Sequence, residues 1–171
     1  MKSINKAYQF STILVVILFL STTIYAQEKV SFSETTSITK KITVKYFSNY
    51  FKLDFDAMKD NMHDDISFHD PTAELIMGTR LVEGKTNVYE SFKKNYATII
   101  EMKQEPIRTI FSSTTGIFEV IIKYKFKDGP EKIVAIEMPL IVVLTVKDGK
   151  VVEHRDYADY NYFIEQYNTQ K

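Results

Sequence analysis

The chain has no cysteine and no tryptophan, and only five glycines and four prolines among 171 residues. Without cysteine there is no disulfide, no thiol nucleophile and no lipid-modified N-terminal cysteine. No glycine-rich phosphate loop and no serine-centred nucleophile motif occurs. Neither sign of charge is in excess, since 22 Lys and Arg balance 22 Asp and Glu. A balance this even offers no basic face to phosphates, which argues against a nucleic-acid partner. There is no internal repeat and no low-complexity tract.

What is plentiful is aromatic side chain, 12 Phe and 11 Tyr. With so few Gly and Pro, that composition belongs to a packed globular chain and not to a disordered one. At the N-terminus, Lys2 and Lys6 precede the unbroken apolar run Ile13 to Leu20, and small and polar residues lead to Ala26. The pattern predicts a secretory signal peptide over residues 1–26, cleaved after Ala26, and hence export to the periplasm or the medium. The run falls short of the ~20 residues of a membrane span, which leaves an uncleaved anchor as the alternative. The remaining chain, from Gln27, carries a net charge of −2 and has the length of one domain, with no membrane association expected after cleavage.

Residues 27–36 read as a flexible polar lead-in, followed by one domain over 37–171. From Ser37, Ile38, Ile42, Tyr46, Phe47, Tyr50, Phe51 and Leu53 recur at three- and four-residue steps, predicting a helix. A second short helix fits Phe55 to Met62. The period then switches to two, with Ile66, Phe68 and Asp70 on one face of a short strand that Pro71 stops. Gly84 opens a third helix, with Val88, Phe92, Tyr96, Ile99 and Ile100 as its apolar stripe. After Gln104 the chain reads as a four-strand antiparallel meander, closed by an Asp148-Gly149 hairpin, the strand Val151 to Tyr157 and a short tail. Helices segregated from strands predict an α+β fold, a curved antiparallel sheet packed on three N-terminal helices.

Asp70, sharing a face with Ile66 and Phe68, is expected to point inward. An apolar pocket penalises the charged form of a carboxylate and so makes it a better base. An Asp before Pro is also a common turn cap, and that reading stands beside the first. A two-residue turn at Asp148-Gly149 pairs His154 with Val143 and Asp156 with Ile141, so His154 and Asp156 share a face that borders the interior. Glu137 falls on the same parity if no bulge intervenes. Arg155 takes the other face, as a surface or interface ion pair. The His154–Asp156 pair is either an acid/base couple or a structural polar network near the sheet. In MHDDISFHD, His63, His69 and the neighbouring acids do not converge as metal ligands must, so no metal is expected. The long apolar strand Ile133 to Val146 needs both faces covered, one by helices and the other by a second subunit. The tyrosines of the tail suit such an interface.

With DDISFHDP early and GKVVEHRDYADYNYF late, this element order resembles the nuclear transport factor 2-like superfamily, and within it the SnoaL-like group. The resemblance spans roughly Ile38 to Gln166 and implies a cone-shaped fold. Superfamily members include ketosteroid isomerases, limonene-epoxide hydrolases, polyketide cyclases and non-catalytic binding domains, so the fold alone leaves function open. Set against the isomerases, Asp70 looks like the base and Tyr46 like the first-helix phenol that hydrogen-bonds an enolate oxygen. The second acid of that pattern would fall near Ile141 or Val142, both apolar. Set against the epoxide hydrolases, Asp156 matches one acid, but IFEVIIKY (117–124) lacks the required Arg-x-Asp. Set against the cyclases, Asp156 matches the acid/base residue, with His154 beside it. The resemblance therefore implies a dimeric cone binding a small apolar or carbonyl-containing molecule. Asp70 or Asp156 would be the base, with His154 and Tyr46 as hydrogen-bond partners. The reaction would be an isomerisation, cyclisation or lyase step, with no cofactor. The alternative is a non-catalytic ligand-binding or dimeric interaction domain.

Overall fold

A computed structural model describes residues 31–170. The expected signal peptide and the start of the lead-in lie outside the described residues. The first helix among the described residues, α1 (Phe32–Phe51), begins inside the stretch expected to be a lead-in. Its buried residues Thr39, Thr43, Tyr46, Phe47, Tyr50 and Phe51 form one stripe at helical spacing. Asp54 caps α2 (Phe55–Lys59), accepting from the Ala57 amide at 3.0 Å. Strand β1 (Met62–His69) follows, and then α3 (Pro71–Met77), a helix that periodicity alone does not anticipate. Pro71 ends the strand as expected, yet it also starts that helix, because a proline's missing N–H costs nothing at a first helical position.

A short β2 (Leu81–Glu83) and α4 (Lys85–Asn95) come next. Ile99 and Ile100, expected on the stripe of α4, instead open β3 (Ile99–Phe111), where a β-branched Thr98-Ile99-Ile100 run suits a strand. The meander continues through β4 (Thr115–Lys127), β5 (Ile133–Lys147) and β6 (Lys150–Ala158), and α5 (Tyr160–Thr169) makes the tail helical. The β5–β6 turn has Asp148 at φ 50° and Gly149 at φ 75°, as a two-residue hairpin of this type requires.

The α+β class and the curved sheet on N-terminal helices hold. The six strands lie in the order β2-β1-β6-β5-β4-β3. One pairing departs from the antiparallel expectation: β1 runs parallel to β6, so the sheet is mixed. Alternation reveals which residues are strand, but not which strand a distant segment will join. The inner face packs on the helices through aromatic contacts such as Phe47 stacked on Phe118 with ring centroids 4.1 Å apart. Helix α1 leaves no room for a side chain at Gly116, where a Cβ would lie 2.6 Å from Thr43 Oγ1 and 2.9 Å from Thr43 Cβ.

Two local devices shape the central strands β5 and β6. The first is a bulge in β6. Val146 pairs with Val151, but Thr145 pairs with Glu153, so Val152 is an extra residue. A bulge reverses the inside–outside alternation beyond it. Val151 is buried, and after the bulge His154, Asp156 and Ala158 are the buried residues. The second device covers the half of β5 that β6 leaves unpaired. The side-chain amides of Gln166 on α5 and of Gln170, four residues on at its C-cap, imitate a neighbouring strand. Gln170 accepts from the Ala135 N–H (3.0 Å) and donates to its C=O (2.9 Å). Gln166 does the same at Glu137, at 2.9 and 2.6 Å.

Candidate functional site

His154 is wholly buried and Asp156 nearly so. The bulge changes their expected neighbours: His154 faces Leu144 and Asp156 faces Val142, both fully buried, instead of Val143 and Ile141. Both residues do border the interior. Glu137 does not join them; it is exposed on the outer face and pairs with Lys123 at 3.5 Å, because the bulge shifts parity. Arg155 is also on the outer face, bonded to Glu153.

The polar groups around Asp156 form a directed chain. Burial, then the charge of Asp156, pushes the Tyr46 phenol well above its ordinary range, so it keeps its proton. The Asp156 carboxylate can only accept, so His154 Nε2 carries a proton and donates to Oδ1 at 2.9 Å. In the tautomer with its single proton on Nε2, Nδ1 accepts from the Tyr46 hydroxyl, 3.3 Å away. Tyr50 donates to the other oxygen, Oδ2, at 2.9 Å. Its own oxygen accepts from Tyr96, 2.5 Å away. Burial raises the Tyr50 and Tyr96 phenols as well, with Asp156 adding to the effect. Aromatic rings enclose the imidazole: Tyr50 and Phe68 meet it edge-on at 5.0 and 5.1 Å, and Phe92 stacks on it at 5.5 Å.

Asp70 is buried, as its strand face implies, and it is also a helix cap. Its Oδ1 caps α3, accepting from the Ala73 N–H at 2.8 Å, and also accepts from Thr72 at 2.6 Å. The Thr72 oxygen in turn accepts from the Ala158 N–H at 2.9 Å, which commits the hydroxyl proton to Asp70. Tyr160 donates to Oδ2 at 2.5 Å. Burial, then Asp70, pushes the Tyr160 phenol upward, so it too remains a donor.

Asp70 and Asp156 line the same cavity, of about 250 Å³. Its walls are otherwise largely apolar, with Met77, Met102, Met138, Ile122, Phe126 and Phe163 among them. The volume lies just below the ~300–1,000 Å³ of drug-sized sites. Tyr46 and His154 are not on its wall; they stand behind Asp156. Tyr46 was expected to meet a ligand oxygen, but the residue one turn on, Tyr50, reaches the cavity instead. Tyr96, Tyr124 and Tyr160 also line it and were not foreseen as site residues. The i, i+4 spacing of Tyr46 and Tyr50 was a usable signal. Tyr96 and Tyr160 arrive from other elements, which no local spacing reveals. The Tyr124 hydroxyl makes no hydrogen bond to any described residue, and burial pushes it upward.

A curved sheet packed on helices thus surrounds a small cavity that carries two carboxylates. Residues 44–154 match the SnoaL-like domain, and the chain belongs to that family. Among solved structures, a protein assigned as a SnoaL-like polyketide cyclase from Shewanella denitrificans OS-217 is similar with a TM-score of 0.70 and 16% identity, covering 78% of this chain and 98% of that one. A second such protein, from Shewanella putrefaciens CN-32, has a TM-score of 0.68 and 19% identity, covering 77% and 97%. An LEH-like epoxide hydrolase from M. tuberculosis has a TM-score of 0.63 and 15% identity, covering 79% and 92%. No curated protein matches the chain significantly.

Proposed function

We propose that this SnoaL-like protein binds a small carbonyl compound in the cavity and moves a proton next to the carbonyl, with Asp156 as the base. One observation carries the reading: Asp156 faces an apolar cavity while His154 holds its far side. The α C–H bond breaks, its proton passes to Asp156 and its electron pair forms the enolate. Tyr124 is the phenol with a proton to spare for that oxygen, since the Tyr50, Tyr96 and Tyr160 protons are committed elsewhere. Asp70 already receives three donated hydrogen bonds, from Ala73, Thr72 and Tyr160, against two at Asp156, so its lone pairs are the more fully engaged. Tyr46 and His154 position Asp156 and do not touch the ligand. Returning the proton to another carbon, closing a ring or expelling a leaving group would make the protein an isomerase, cyclase or lyase. Epoxide opening is not proposed, because the Arg-x-Asp of that chemistry is absent from 117–124.

The test is deuterium exchange from solvent at the α-carbon of a panel of small ketones, followed by NMR. Exchange by the wild type, abolished in Asp156→Asn and retained in part in Asp70→Asn, is expected. Exchange that is absent, or unchanged in Asp156→Asn, would remove the catalytic assignment. The second reading is non-catalytic binding, and it also has an observation behind it. All four carboxylate oxygens of the site already accept from protein donors, as a purely structural network would have them. Ligand binding with no exchange would select it.

Export is part of the proposal and rests on the charged start and apolar run of residues 1–26; fractionation of expressing cells tests it. Dimerisation is proposed through the outer sheet face, where Ile110, Ile141 and Tyr157 are exposed beside the half-buried Ile117 and Val143. A monomeric mass in solution would refute it.

A further inference from the structure

We infer that the ligand of this cavity carries a positive charge: a small protonated or quaternary amine with an apolar body. The inference rests on the reading that the cavity is the ligand site, and not on that site being catalytic. Two carboxylates, Asp70 and Asp156, are on its wall, and among the described residues no Lys, Arg or His lines it. Of the phenols there, Tyr50, Tyr96 and Tyr160 spend their protons inside the protein. What they leave toward an incoming group is oxygen lone pairs. The wall thus supplies two anions and mostly acceptors, and its groups able to donate, Tyr124, Asn95 and Thr98, are all neutral. An anionic ligand would meet two like charges, and a neutral one would leave both carboxylates hydrogen-bonded but without a counter-charge in the cavity. A cation compensates them.

The rest of the wall suits the same ligand. Phe126 and Phe163 line the cavity with the tyrosines, and aromatic rings attract ammonium groups through their negative faces. Methionine thioethers at Met77, Met102 and Met138 add polarisable surface for methyl groups. The volume of about 250 Å³ limits the guest to a small molecule.

The experiment compares choline with 3,3-dimethylbutan-1-ol, which has the same shape and no charge, by calorimetric titration of the full chain. Choline is expected to bind at least about tenfold tighter, in keeping with a cation held by aromatic and anionic groups. Asp70→Asn and Asp156→Asn should each weaken choline severalfold and leave the alcohol unchanged. Asparagine still caps a helix, and a thermal melt confirms that each variant is folded. Equal binding of the two probes, binding of neither, or choline binding indifferent to both folded variants would overturn the inference. Failure here with α-proton exchange intact on neutral ketones would leave the proposed function standing. Choline binding without any exchange would leave this inference standing and remove the catalysis.

Discussion

His154 and Asp156 are two residues apart on β6, with Nε2 2.9 Å from Oδ1, and both face inward because Val152 is bulged out of the ladder. With Val152 paired in the ladder as an ordinary residue, the alternation set by buried Val151 would turn Glu153 and Arg155 inward and expose the His–Asp pair. Two charges buried against an apolar core cost several kcal/mol, roughly the whole stability of a domain, so the strand bulges instead. Deleting Val152 removes the bulge but leaves Val151, His154 and Asp156 in regular alternation, so the variant is expected to fold and to keep the His–Asp pair inward and choline binding intact. Circular dichroism with a choline titration checks it. A deletion variant that unfolds or no longer binds would show that the site needs the bulge itself and not only the inward parity it provides.

Much of this was legible from periodicity, and the misses have physical causes. Ile66, Phe68 and Asp70 point inward as their alternation says. His154 and Asp156 do too, although the expected register named the wrong partners, because a one-residue bulge leaves no mark in composition. The parallel β1–β6 pairing is equally silent, since both faces of either strand read the same whichever neighbour it takes. Asp70-Pro71 reads as a strand end or a turn, and a helix cap, which is what the structure has, needs the same residues. The tyrosines that complete the site come from α1, the end of α4, β4 and α5, so only the tertiary fold brings them together.

Gln166 and Gln170 close an open strand edge, and losing both is expected to free it. In the double variant Gln166→Ala/Gln170→Ala, the Ala135 and Glu137 amides lose their acceptors and should exchange with deuterium at least about tenfold faster, equivalent to ~1.4 kcal/mol of local protection. An exposed edge also invites strand pairing between molecules, so faster aggregation on warming is expected. Exchange at these two amides matching the wild type would mean that the glutamines are not what protects them.

Alkaline pH should destabilise the fold steeply. Burial and then Asp156 raise the Tyr46, Tyr50 and Tyr96 phenols well above their ordinary 10.0. The folded state thus holds these protons more tightly than the unfolded chain does. Their stabilisation is complete below pH 10.0 and is lost as pH rises through the higher folded values. Each such tyrosine removes up to about 1.4 kcal/mol per pH unit in that window. Urea unfolding at successive pH values, with phenolate absorbance recorded alongside, checks it. A stability that stays flat above the ordinary tyrosine range, with early phenolate signal, would mean the phenols are open to water.

Tyr46 has no contact with the cavity, so its hydroxyl should matter only through His154. Tyr46→Phe leaves Nδ1 buried without its donor and is expected to cost ~1–3 kcal/mol. His154→Leu strands both Asp156 Oδ1 and the Tyr46 hydroxyl, and should cost more. Adding Tyr46→Phe to His154→Leu then removes a polar group that already lacks a partner, so the second change should be nearly neutral or even stabilising. The two substitutions should couple by ~1–2 kcal/mol in a double-mutant cycle of urea unfolding. Choline affinity should fall with His154→Leu, which leaves Asp156 held by Tyr50 alone, and change little with Tyr46→Phe. Additive costs within ~0.5 kcal/mol would show that the 3.3 Å contact contributes nothing, and Asp156 alone would then orient the imidazole.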